Sequence, residues 1–178
     1  ISWAEKHTKS VKSLTPTEAQ PHLDKVEKRL DDIIGVHVRR YYYSETLLNC
    51  PETVRPLFLR GIPLIHKFVI RQKWPMITAL MIKRMDLGAV QRLESRDIVD
   101  TELLWLDGLL ANDKTFLFGN SLSRADITAA SLLAPLVSPE HHPTYAGLTL
   151  PPHTQAEVNA WSDRPSIKWV RQIYNAYR

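Results

Sequence analysis

Apolar and ring positions along this chain recur at spacings of three and four, and period-two alternation is rare, so helices are expected and strands are not. The first run is Leu23, Val26, Leu30, Ile33, Ile34, His37, Val38, Tyr41 and Tyr42, one stripe along a long amphipathic helix. Asp24, Lys25, Lys28, Asp31, Arg39 and Arg40 fall mostly on other faces. Thr15-Pro16 and Pro21 place its start between residues 17 and 21, and Asn49-Cys50-Pro51 ends it. From Pro51 to Met85 the prolines at 56, 63 and 75 forbid one straight helix, and two or three helical pieces are predicted there. A further helix is predicted over about 95–111. Its stripe is Ile98 or Val99, then Leu103, Leu106, Leu109 and Leu110, with Asp97 and Asp100 in the first turn.

The strongest local signal follows. Gly119-Asn120 marks a turn, and Ser123 stands where an N-cap belongs. Asp126, three residues on, can close a capping box with Ser123, while Leu122 and Ile127 occupy the two positions of a hydrophobic staple. The stretch 127–136 is almost wholly apolar or small, which suits a helix in the middle of a bundle. Residues 137–153 are rich in Pro and His and read as a long loop. Two short helices are predicted near 154–162 and 165–177, the second with Pro165 at its first position. The fold class is therefore all-α, a helical bundle.

Composition narrows the partners. The 178 residues carry 44 % hydrophobic and 24 % charged residues, enough for a packed core without disulfides. Cys50 is the only cysteine, so no internal disulfide forms, and a free thiol fits a cytoplasmic setting. The net charge is +4, with Lys and Arg spread in short pairs such as Arg39-Arg40 and Lys83-Arg84. A nucleic-acid binder would cluster them, so no nucleic-acid partner is expected. The longest apolar run, 76–82, is too short to span a bilayer, and no membrane partner is expected either. Glu5, Lys6 and His7 interrupt any signal-peptide core. The chain begins with Ile1 in place of Met, so a processed, trimmed or fragmentary chain is expected.

The segment FLFGNSLSRADITAASLLAPL, residues 116–136, resembles the capped central helix in the C-terminal domain of cytosolic glutathione S-transferases. The closing WSDRPSIKWVRQIYNAYR and the long helix LDKVEKRLDDIIGVHVRRYYY are similar to other parts of that domain, and the resemblance spans about 16–178. It implies a helical domain over 17–178, with residues 1–16 as the tail and linker of an absent thioredoxin-like domain. It also implies that glutathione is the co-substrate of the intact protein, held by that absent domain. This domain would supply a pocket for a small electrophile and contacts for a homodimer or for the thioredoxin-like domain. The alternative is a non-catalytic GST-C-like interaction module.

No catalytic residue is expected within the 178 residues. Through the resemblance, His37, Tyr41 and Tyr42 are the candidates to line the pocket, since rings with polar tips suit a largely apolar electrophile; for any single one of them core or dimer packing is the favoured account. Ser123, Asp126, Leu122 and Ile127 are read as structural caps. Cys50-Pro51 resembles a cysteine-type active-site pair but follows a helix where the family's follows a strand, so it is read as non-catalytic. His141, His142 and His153 lack the partners of a metal set, and no metal is expected.

Overall fold

The computed structural model describes residues 14–15, 20–140, 142, 145 and 150–177. Among them every regular element is helical. Expectations for residues 1–13 and 16, and for His141, lie outside the described residues.

The chain opens on a continuous helical rod. Its parts are α1, Gln20–Arg29, a π-helical turn, Leu30–Ile34, and α2, Gly35–Asn49. The apolar stripe faces inward as the spacing predicts: Leu23, Leu30, Ile34, Val38, Tyr41 and Tyr42 are all buried. At Gly35 a β-carbon would lie 3.0 Å from Leu132 Cδ2, so the absent side chain lets the rod lie close against the helix that carries Leu132.

Two pieces follow, α3, Pro51–Leu59, and α4, Leu64–Arg84. They break at Arg60–Pro63, where Gly61 takes a left-handed φ of 72° that glycine adopts without a Cβ clash. Pro56 and Pro75 remain inside helices. Phe58 of α3 meets Trp74 of α4 with ring centroids 5.4 Å apart. That contact anchors α4, which packs chiefly against α2 and α3.

The next helix, α5, spans Ala89–Leu109 and starts six residues earlier than the sequence pattern suggests. The extended Gly88 precedes it, and Arg92 N donates to Gly88 O at 2.8 Å to close the first turn. Ser95, at the predicted start, lies inside the helix, buried and bonded to His37. Asp97 and Asp100 consequently sit in mid-helix. Asp100 accepts from Trp161 Nε1 at 2.9 Å and Arg164 Nη2 at 2.6 Å. The buried stripe is Val99, Leu103, Leu106 and Leu110. The chain turns after it through left-handed Asn112 and Asp113, the residue types that tolerate that region best after glycine.

The capped helix α6, Arg124–Val137, lies at the centre, against α1, the π turn, α2 and the last helix. Two helices close the chain: α7, Pro152–Trp161, and α8, Pro165–Tyr177. Asp107 of α5 accepts from Ser166 N at 2.7 Å, so α5 supplies the N-terminal cap that α8 lacks in its own sequence.

Candidate functional site

The box at the head of α6 is built from residues three apart. Asp126 Oδ2 accepts from Ser123 N at 2.7 Å and from Ser123 Oγ at 2.6 Å, and Asp126 N approaches Ser123 Oγ at 3.4 Å. The other carboxylate oxygen accepts from Leu117 N at 2.8 Å. One buried side chain thus ties the Phe116–Gly119 loop to the helix. Burial pushes the Asp126 carboxyl up from its ordinary value, and the bonds from Leu117 and Ser123 draw it back.

The pocket candidates lie on α2, and each is engaged with a neighbouring element. His37 Nδ1 is 3.1 Å from Ser95 Oγ of α5. Burial, followed by the nearby Arg40 cation, holds the His37 imidazole below its ordinary value. Tyr41 has no exposed surface. Its hydroxyl donates to Glu157 Oε2 of α7 at 2.6 Å, and burial together with that bond drives its ionisation far above the ordinary range. Tyr42 is also buried. Its hydroxyl finds no partner among the described residues, its ring meets Tyr43 edge-on at 5.4 Å, and burial raises it too. All three tyrosines of the 41–43 run are raised by burial, so none offers a phenolate at neutral pH.

Sequence spacing does not reveal the network into which Tyr41 is bound. Arg92 of α5 reaches into the interface of α2, α5 and α7. Its Nε lies 3.2 Å from Glu45 Oε2, its Nη2 bonds Glu157 and also His153 Nδ1 at 2.9 Å, and its guanidinium sits 5.2 Å from the Tyr41 ring. Thr154 Oγ1 donates to Glu45, and Trp161 packs on Tyr41 at 5.5 Å. One turn-pair away, Arg29 forks onto Glu102 with two 2.8 Å bonds and lies over the Trp105 ring at 4.1 Å. Such charge-assisted pairs set the register of α1 and α2 against α5. Arg92 and Glu157 stand 65 positions apart, so only the fold brings them together.

The concave surface lies elsewhere. A concavity of about 200 Å³ between α6 and α8 is lined by Leu122, Ile127, Ala130, Ile173, Tyr174 and Tyr177, with Ser131. The staple pair Leu122 and Ile127 thus forms one wall of an apolar hollow. A second, more polar hollow is lined by Asp113, Lys114, Asp163, Lys168 and Trp169, among others. His37, Tyr41 and Tyr42 line neither. Cys50 is exposed at the junction of α2 and α3. His142 stacks with Tyr145 and Tyr174, His153 faces Arg92, and no metal-ligating group of three is present among the described residues. No described helix is long and apolar enough to cross a membrane.

No protein-family model, curated protein or solved structure matches this chain.

Proposed function

We propose that this chain is the helical domain of a glutathione S-transferase-like protein, contributing an electrophile pocket and dimer contacts while a thioredoxin-like domain binds and activates glutathione. The observation that carries the reading is the head of α6, where Ser123 and Asp126 close the box and Asp126 also holds Leu117 of the Phe-Leu-Phe-Gly loop. That arrangement agrees with the resemblance of residues 116–136. The apolar hollow beside Leu122 and Ile127 is where a small electrophile fits this chain best. Its volume is below the usual range for a complete ligand site, roughly 300–1,000 Å³, and it needs a further wall. Tyr41 and Tyr42, buried in the core, act on a pocket only from behind; His37 keeps partial exposure.

The domain alone activates no thiol in this reading, because its buried tyrosines are held protonated and the Arg92 cation beside them is matched by Glu45 and Glu157. The alternative, a non-catalytic GST-C-like interaction module, is favoured by the apolar side chains that α4 leaves uncovered. The test is retention of the full-length protein on immobilised glutathione, with conjugation of glutathione to a chlorinated nitroarene. Retention with turnover is the expected result. Absence of both rejects the transferase reading and leaves the module.

A further inference from the structure

Helix α4 is apolar on two opposite faces. Trp74, Thr78, Ile70, Ile77 and Met81 turn toward the bundle. On the other side Leu64, Ile65, Phe68, Val69, Met76 and Leu80 are 52–82 % exposed. At 100° per residue these six fall within an arc of roughly 160°, so they form one strip along the helix, interrupted at its middle by the exposed Gln72. Together they expose on the order of 700 Å², more than single scattered apolar side chains leave on a monomer's surface.

The charges carried by α4 itself have one sign, and the nearest acids along the chain are Glu52, at the start of α3, which pairs with Arg55, and Asp86, which pairs with Arg40. Residues 53–85 hold seven of the chain's 23 Lys and Arg and none of its 19 Asp and Glu, so the rest of the chain is net acidic. On α4, Lys73 lies along one edge of the strip, Arg71 along the other, and Lys83 and Arg84 at its C-terminal end, all exposed. Pairing α4 with α4 of a second copy about a two-fold axis would bring cations onto cations. A flat anionic surface matches both the strip and its edges, since aliphatic stems lie along an apolar layer while their charged heads meet phosphates.

We propose that α4 docks on an anionic lipid surface, lying in the interfacial plane with Leu64, Phe68 and Met76 inserted and Arg71, Lys73 and Lys83 on the headgroups. Interfacial binding of this kind needs no spanning segment, so it is compatible with the absence of one among the described helices. The proposal does not depend on the transferase reading.

The test is co-sedimentation of the full chain with phosphatidylcholine vesicles, with and without about 30 % phosphatidylserine, at low and high salt. Binding to the serine-containing vesicles is expected to exceed binding to the neutral ones by on the order of tenfold or more and to weaken with salt. Phe68→Glu sits at an exposed position and leaves the circular dichroism and the melting curve unchanged, yet abolishes binding. Lys73→Gln combined with Lys83→Gln lowers it by on the order of thirtyfold, from about fivefold per cation lost at the surface. Absence of sedimentation with either vesicle overturns the proposal, as does equal, salt-insensitive sedimentation with both. A lipid-free dimer that Phe68→Glu dissociates overturns it as well, because the strip is then covered by a second copy.

Discussion

Helices α4 and α6 are both rich in apolar residues, yet they occupy opposite situations. In α6 the side chains of Ala125, Ala129, Leu133 and Leu136 are sealed on several sides by α1, α2 and α8. The polar groups at its N-terminal end are matched by Ser123 and Asp126. In α4 one face holds Trp74 against Phe58, and the other leaves six large apolar side chains bare. Residue size explains much of the difference. Alanines let neighbouring helices approach α6 closely from several directions, whereas α4 packs chiefly against α2 and α3 and its outer face is left exposed. Apolar content therefore gives the number of faces that need covering, and the small residues show which helix the bundle closes around.

The comparison is most exposed to a matched pair of truncations. Leu133→Ala on α6 removes a fully buried side chain and is expected to lower unfolding free energy by about 2–5 kcal/mol in urea titrations. Phe68→Ala on α4 removes a larger side chain and is expected to change it by no more than about 0.5 kcal/mol. Comparable losses would mean that the outer face of α4 is packed in solution.

The next largest effect is at the cap. Asp126→Ala strands the amides of Leu117 and Ser123 in a buried setting, and a loss of about 2–3 kcal/mol is expected. Asp126→Asn retains an acceptor and should recover part of it. Unchanged melting of the alanine variant would remove the cap from the account of how α6 is held.

The smallest effect concerns His37 and is read as a slope. Its folded-state value is depressed below 6.5, so the unfolded chain binds the proton more readily. Stability is then retained above the unfolded value and declines as pH falls through it toward the folded one. His37→Gln, followed by thermal melting between pH 8 and pH 5, should show a shallower decline than the wild type. An identical slope would show that His37 takes up its proton equally well in both states.

Legibility followed distance along the chain. Ser123 and Asp126 are three residues apart, and their chemistry needs only a helix start, so the box could be read directly. The stripe from Leu23 to Tyr42 was equally visible, as were the prolines that divide 51–85. The start of α5 lies six residues before the predicted one because Gly88 begins the helix by backbone geometry alone, with no side-chain cap to mark it. The Arg92 network was hidden, since its carboxylates lie on two other helices, 47 and 65 positions away. The bare face of α4 did leave a sign, a run of 33 residues without an acid, but periodicity assigns apolar residues to the inside and passes over it.

The contact between Phe58 and Trp74 also bears on how the molecule opens. Trp74 is buried, and its indole N–H finds no acceptor among the described residues, so the anchor of α4 carries an unsatisfied donor. Beside that anchor the α3–α4 hairpin buries Val54 and Thr78, and its other inward residues are only partly covered. Amide hydrogens of α4 should accordingly exchange with deuterium through local opening, while those of α2, α5 and α6 wait for global unfolding. The chain then behaves as two cooperative units, a slow-exchanging bundle and a fast-exchanging hairpin.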